Sequence, residues 1–369
     1  MPAASLDAIN AALATVNDPE INRPVTELGM VKSVDAHDDG AVTVGIYLTV
    51  SGCPMRTTIV DRITEAVSAV PGVASVTVEL DVMSDEQRAE LRTKLRGHEE
   101  REIPFSQPGS LTKVYAIASG KGGVGKSSLT ANLSVALAQR GHKVAVVDAD
   151  VWGFSIPRML GVEHAPVVID QMLVPPESYG VRCISMGFFV EEEQPVIWRG
   201  PMLHKALEQF LTDVFWDEPD FLLVDLPPGT GDIALSLAQF LPRAELYVVT
   251  TPQPAAQRVA QRAAYMGQKV NLEVKGVIEN MAWFTGDDGK RYEIFGTGGG
   301  AELAERLEVP LVGQVPLMIP MREGSDAGRP IMAVDPESEA SQAIAAIAQT
   351  IDLDLAPTRR YNPGLKLLG

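Results

Sequence analysis

Eight residues near the middle of the chain, Gly120-Lys121-Gly122-Gly123-Val124-Gly125-Lys126-Ser127, have the spacing G-x-x-x-x-G-K-[ST]. Glycines at this density let the backbone turn tightly, so that N–H groups and the start of a following helix point at phosphate oxygens. Lys126 would neutralise the β- and γ-phosphates of a nucleotide, and the Ser127 hydroxyl would ligate Mg²⁺. Asp148, Asp150 and Asp225 add carboxylates at the ends of two further apolar runs. The i, i+2 spacing of Asp148 and Asp150 puts both on one face while the chain stays extended.

The elements that must hold these groups are legible around them. From Lys113 onward short apolar segments alternate with longer helical ones, which predicts βαβ units and a parallel sheet. The candidate strands are Val114–Ala118, Val144–Asp148, Phe221–Asp225, Leu246–Thr250, Val274–Ile278 and Val312–Val315. They are apolar throughout, so helices should cover both faces. The glycine-rich run lies between the first strand and a helix whose buried face is Leu129, Leu133, Ala136 and Leu137, stopped by Gly141. Asp225 closes an apolar run in the manner of the Mg²⁺-side element often called Walker B. All three aspartates then stand at the carboxyl edge of the sheet, where open α/β proteins bind ligands. The stripe Leu203, Ala206, Leu207, Phe210, Leu211 and Val214 predicts a helix over Met202–Val214, and Asp335-Pro336 predicts a capped helix through Ile351.

The first hundred residues read differently. Leu6–Val16, Thr57–Val70 and Asp85–Arg96 have helical periodicity, whereas Val42–Val50 and Val73–Leu80 are strand-like. We expect a small α+β domain over 1–96, a linker over 97–112 containing the charged run Glu99-Glu100-Arg101-Glu102, and a nucleotide-binding domain over 113–369. A chain of 369 residues accommodates this division.

With 31 basic and 48 acidic side chains the net charge is -17. Such a surface repels nucleic acid and anionic lipid, so any polyanion must be gripped locally. The two cysteines, Cys53 and Cys183, do not suggest a disulfide framework, and no secretory or spanning segment is read. The expectation is a cytoplasmic protein without membrane or nucleic-acid partners. The five histidines show no metal-ligand spacing.

The loop carries a second lysine, Lys121, after its first glycine, and Lys-Gly-Gly-Val-Gly-Lys-Ser resembles the deviant Walker A loop of the MinD/ParA class. Within that class the chain resembles the Mrp/ApbC iron–sulfur cluster carrier ATPases. The matching runs are Ser119–Ser128, Asp148-Ala149-Asp150-Val151-Trp152-Gly153, Arg199-Gly200-Pro201, Asp225-Leu226-Pro227-Pro228-Gly229-Thr230-Gly231-Asp232, Glu279-Asn280-Met281 and Phe295-Gly296-Thr297-Gly298-Gly299-Gly300. The N-terminal domain is similar to a small iron–sulfur assembly domain through Asp18-Pro19-Glu20 and Gly52-Cys53-Pro54. The resemblance implies a P-loop ATPase fold with a mostly parallel sheet and a homodimer around ATP. It also implies slow hydrolysis coupled to transfer, and apoprotein clients or iron–sulfur assembly proteins as partners. Lys121 would act on the partner subunit's nucleotide, the alternative being a solvated loop lysine. Asp148 would assist Mg²⁺, Asp150 orient the attacking water, Asp225 hold Mg²⁺ through a water, and Asn280 hydrogen-bond adenine.

One departure matters. Such proteins usually carry Cys-x-x-Cys between the asparagine-containing strand and the glycine-rich run, and two subunits pool these thiolates on one [4Fe–4S] cluster. Here the interval is Trp283-Phe284-Thr285-Gly286-Asp287-Asp288-Gly289-Lys290. Hard carboxylates do not replace thiolates on cluster iron, and Asp287-Asp288-Gly289 reads as a tight turn. Cys53 is the remaining candidate ligand, with its pKa expected to fall at a helix N-terminus; the alternative is a buried cysteine. Cys183 reads as core. Two functions are therefore open: a cluster carrier with relocated ligands, and an ATP-driven dimer switch that docks a protein client without a cluster.

Overall fold

The computed structural model describes residues 5–50, 52–96, 102–151, 153–189, 200–229 and 231–354. Trp152, Arg199 and Thr230 of the quoted runs, the Glu99–Arg101 charges and the tail from Arg359 lie outside the described residues. The chain forms two compact units. One comprises residues 1–101 with 164–176 and 213–215; the other comprises 102–163, 177–212 and 216–369.

The first unit begins with α1 (Leu6–Leu13), β1 (Val31–Ala36), β2 (Ala41–Leu48), α2 (Arg56–Ser68), β3 (Ser75–Val82) and α3 (Asp85–Arg96). β2 is the central strand, antiparallel to β1 and parallel to β3. Parallel pairing of β2 and β3 requires a crossover, and α2 supplies it. Ile59, Ile63 and Val67 recur at helical spacing on α2 and join Ile9, Leu13, Val44 and Ile46 in one buried cluster. Each such side chain contributes about 1.5–3 kcal/mol on burial. β1 is absent from the sequence-based strands: Lys32, Ser33 and Asp35 are exposed on an edge strand, so hydrophobic alternation is weak there.

The second unit opens with β4 (Lys113–Ser119), α4 (Lys126–Gln139), β5 (Val144–Asp148) and α5 (Ile156–Met159). A hairpin of β6 (Val167–Ile169) and β7 (Met172–Val174) then contributes Val167, Ile169, Met172 and Val174 to the core of the first unit. This excursion was not expected from the sequence, because strands of three residues carry too little periodicity to be seen. Next come β8 (Glu177–Ser178), β9 (Val181–Ser185), α6 (Gly200–Thr212), β10 (Phe221–Asp225), α7 (Asp232–Phe240), β11 (Glu245–Thr250) and α8 (Pro254–Lys269). The chain continues through β12 (Glu273–Asn280), β13 (Phe284–Thr285), β14 (Arg291–Tyr292), α9 (Gly299–Leu307), β15 (Leu311–Val315), α10 (Ile319–Asp326), α11 (Ile331–Val334) and α12 (Glu339–Gln349).

The main sheet has the order β15-β12-β11-β4-β10-β5-β9-β8, parallel except for the β8 edge. All six expected strands are in it. β9 is an addition: Arg182, paired with Glu177 at 3.3 Å, interrupts its apolar pattern although it is itself buried. The C-terminal helix starts later than Asp335. Ser338 is its cap and accepts from Ser341 N, while the Asp335 carbonyl accepts from the Ser338 and Ser341 hydroxyls. A cap must leave its own backbone extended, which Ser338 does.

α4 is buried along most of its length, from Leu129 through Leu137, between the sheet and the C-terminal helices. A helix enclosed in this way is fixed in position, and so is the loop that feeds it.

Candidate functional site

The glycine-rich loop joins the carboxyl end of β4 to the first turn of α4, and Gly120 and Gly125 each have a steric cause. A Cβ on Gly120 would lie 2.1 Å from the Val259 carbonyl carbon of α8, so only glycine lets that helix backbone approach. Gly125 caps α4 at φ +78, and a Cβ there would meet Asn280 Nδ2 at 2.2 Å. The asparagine amide uses that space to donate to the Val124 carbonyl at 2.9 Å. Asn280, expected to contact adenine, is 3% exposed and braces the loop from β12.

Below the loop the strand-end acids converge. β10 lies between β4 and β5, with Asp225 in register with Asp148. Asp225 is fully buried and surrounded by donors. Its Oδ2 receives the Lys126 ammonium at 2.5 Å and the Ser127 hydroxyl at 2.6 Å; its Oδ1 receives Thr130 Oγ1 at 2.8 Å. Thr130 is absent from the sequence-based candidates. Its position one turn beyond Lys126 was the available signal, because residues i and i+4 share a helix face. Asp148 accepts from Asp150 N through Oδ1 and from Ser155 N, Ile156 N and Ser185 Oγ through Oδ2. Its carboxyl thereby fixes the turn after β5 and the start of α5. Burial first, and the neighbouring Asp225 second, raise its pKa. Asp150 is 8% exposed and accepts from Gly153 N at 3.1 Å.

A cleft of about 490 Å³ opens over this assembly, lined by Lys121–Ser128 together with Asp150, Gly153, Ser155, Pro227 and Pro228. That volume is within the range of cofactor sites. Lys121 lies at its edge, its Nζ 3.4 Å from Gln253 Oε1 at the start of α8. Gln253 is distant in sequence and had no local signal. Ser128 points elsewhere, to the Ser325 hydroxyl at 2.9 Å. The structure thus gathers Lys121, Lys126, Ser127 and Asp150 around one cleft with Asp225 beneath, while Asp148 and Asn280 hold the surrounding backbone.

Comparisons with known proteins bear on the family and the fold. The family model described as NUBPL iron-transfer P-loop NTPase matches residues 110–352, and one described as iron-sulfur cluster assembly protein matches residues 6–80. The chain belongs to the NUBPL-type iron-transfer P-loop NTPases. It is 51% identical to a protein of Mycobacterium bovis named iron-sulfur cluster carrier protein, over 96% of this chain and 97% of the relative. A Synechocystis protein of the same name is 41% identical over 94% and 96%. Among solved structures, a nucleotide-binding protein of Archaeoglobus fulgidus in complex with ADP is 33% identical with a TM-score of 0.53, covering 69% of this chain and 95% of that one. MinD of Pyrococcus horikoshii, complexed with Mg-ADP, is 25% identical with a TM-score of 0.50, covering 66% and 97%.

Two regions of the chain bear on iron–sulfur chemistry. The interval without cysteines folds as the β13–β14 hairpin, with Gly286 N donating to Lys290 O at 2.9 Å and Gly289 at φ +72. Glu339 of α12 clamps it, accepting from Trp283 Nε1 at 2.9 Å, Thr285 Oγ1 at 2.7 Å and Arg291 at 2.7 Å. Among the described residues no three His, Cys, Asp or Glu side chains converge as a metal site. The second is at Cys53, where the expected lowering of the pKa is reversed. α2 begins only at Arg56, and Cys53 is 8% exposed with Glu20 Oε2 3.9 Å from its sulfur. Burial and the Glu20 charge push the thiol up to about 11. Cys183 is fully buried in the second unit, as expected. Among the described residues no helix is long and apolar enough to cross a membrane.

Proposed function

We propose that this protein binds MgATP in the Gly120–Ser128 cleft, hydrolyses it slowly as a homodimer, and carries an iron–sulfur cluster as cargo to apoprotein clients in the cytoplasm. The observation that carries the nucleotide reading is the convergence of Lys126, Ser127 and Asp225 at the start of α4. Hydroxyl and carboxylate oxygens are the hard donors Mg²⁺ prefers, so Ser127 and Asp225 would hold the ion, directly or through water. Mg²⁺ would supply neutralisation of charge on the β- and γ-phosphates. Lys126 would bind the same phosphates, Asp150 would orient the water, and the adenine contact is assigned to Asn280. The cargo reading is supported by the names of relatives that span nearly the whole chain.

Catalysis would consist of positioning and charge stabilisation. Lys121 is assigned to the partner subunit's nucleotide. Lys121→Ala is then expected to lower turnover by about 10³-fold, the lower end of what an arginine finger supplies, while nucleotide binding changes little. Phosphate release and nucleotide titration check this, and unchanged turnover removes the argument for catalysis across a dimer.

Anaerobic reconstitution with iron and sulfide tests the cargo. The expected result is a visible cluster absorbance that passes to an added apo-ferredoxin. A chain that hydrolyses ATP but never takes up a cluster is instead an ATP-driven switch for client docking.

A further inference from the structure

The glycine-rich run 295–300 does not line the nucleotide cleft, yet its packing leads back to the phosphate loop. Gly298, at φ +77, turns the chain into α9, and a Cβ on Gly300 would lie 2.7 Å from Glu279 Cβ. The start of α9 and the end of β12 approach this closely only because the position is glycine. Glu279 uses the approach. Its Oε2 accepts from Gly300 N, and its Oε1 accepts at 2.6 Å from Nε2 of Gln314, its register partner on β15. The residue is 1% exposed and both of these donors are neutral. A buried carboxylate held in this way is costly, offset in part by the N-terminus of α9. What it adds over an apolar side chain of similar size is direction, because each oxygen is tied to a different element.

Successive side chains of a strand leave on opposite faces. Glu279 meets α9 on one face; Asn280, the next residue, meets the phosphate loop on the other, donating to the Val124 carbonyl at 2.9 Å. Asn280 Nδ2 is thereby committed to the loop, and its Oδ1 is the atom that would accept from a base. Adenine offers an exocyclic amine where guanine offers a carbonyl oxygen, so an amide oxygen fixed at that place selects one over the other. We propose that, with adenine at Asn280 as in the proposed function, Glu279 is a positioning residue for base recognition. It ties the end of β12 to α9 and β15, which fixes the Asn280 amide against the loop and sets a preference for ATP over GTP. Glu279→Met fills the same space but accepts from neither donor, so both ties are lost. Glu279→Gln keeps them, since its carbonyl oxygen accepts from Gly300 N and its amine donates to Gln314 once that amide turns over.

Titration of the full chain with ATP and with GTP provides the test, because the ratio of the two affinities reports the base contact and is unmoved by a mere loss of folded protein. The parent is expected to prefer ATP by about 10-fold or more. Asn280→Ala and Glu279→Met each reduce that ratio by about 10-fold. The double variant loses no more than either alone, since the two side chains act through one contact. Glu279→Gln restores the ratio. Gln314→Ala, which cuts the β15 tie alone, lowers it by about 3-fold and decides the matter if melting curves show Glu279→Met to be unfolded. An unchanged ratio in folded Glu279→Met or in Gln314→Ala, additive losses in the double variant, or no recovery in Glu279→Gln each overturns the positioning role while the adenine contact stands. Equal affinities in the parent, or an unchanged ratio in Asn280→Ala, overturn the adenine contact and the positioning role together. A parent that binds neither nucleotide refutes the nucleotide site itself.

Discussion

Lys126→Ala is expected to reduce ATP turnover by about 10²–10³-fold, the loss typical of removing a preorganised group that meets charge developing in the transition state. The ammonium is 6% exposed and joins the loop to the end of β10 through Asp225 at 2.5 Å. Truncation therefore has a second effect. Asp225, fully buried, keeps the Ser127 and Thr130 hydroxyls but loses its cation, and breaking a buried pair from one side costs about 3–5 kcal/mol. Lys126→Arg separates the two effects. It retains the positive charge, so melting should return toward that of the parent, whereas the planar guanidinium does not reproduce a compact ammonium at the phosphates and turnover stays low. Full phosphate release by a folded Lys126→Ala chain would refute the site.

Asp225→Asn should be nearly as damaging, for a different reason. The substitution preserves shape and the contact with Thr130, but it leaves the Lys126 cation buried without its counter-charge and removes the carboxylate assigned to Mg²⁺. Turnover is expected to fall by about 100-fold, with the Mg²⁺ concentration for half-maximal activity raised roughly tenfold or more. Measuring phosphate release across a Mg²⁺ series distinguishes this from Lys126→Ala, in which the metal carboxylate remains. An unchanged Mg²⁺ dependence in Asp225→Asn would remove Asp225 from the metal site.

The consequences of Asp225 also show what could be read in advance. Its apolar run, Phe221–Val224, announces a buried strand ending in an acid, because a strand covered on both faces must be apolar throughout. The partners of that acid are another matter. Lys126 and Thr130 reach it across about a hundred positions of chain, and no local pattern encodes which strands become neighbours. Asn280 makes the same point. Its place after Val274–Ile278 is visible, yet its contact with Val124 exists only because β12 and the loop share one edge of the sheet. At Cys53 local reasoning gave the wrong sign: a turn before a helix suggests an activated thiol, but the folded chain adds burial and Glu20, both of which favour the protonated form.

The residue order by itself showed the phosphate-binding loop, the βαβ alternation around it, the separate character of the first hundred residues and the missing cysteine pair, since each is a pattern of residue types along neighbouring positions of chain. Tertiary structure alone decided that Asp225 and Asp148 stand side by side, that the 164–176 hairpin joins the core of the first unit, and that a carboxylate from residue 20 faces the thiol of residue 53. Those pairings follow from strand order and from the filling of a common core, which are properties of the whole folded chain.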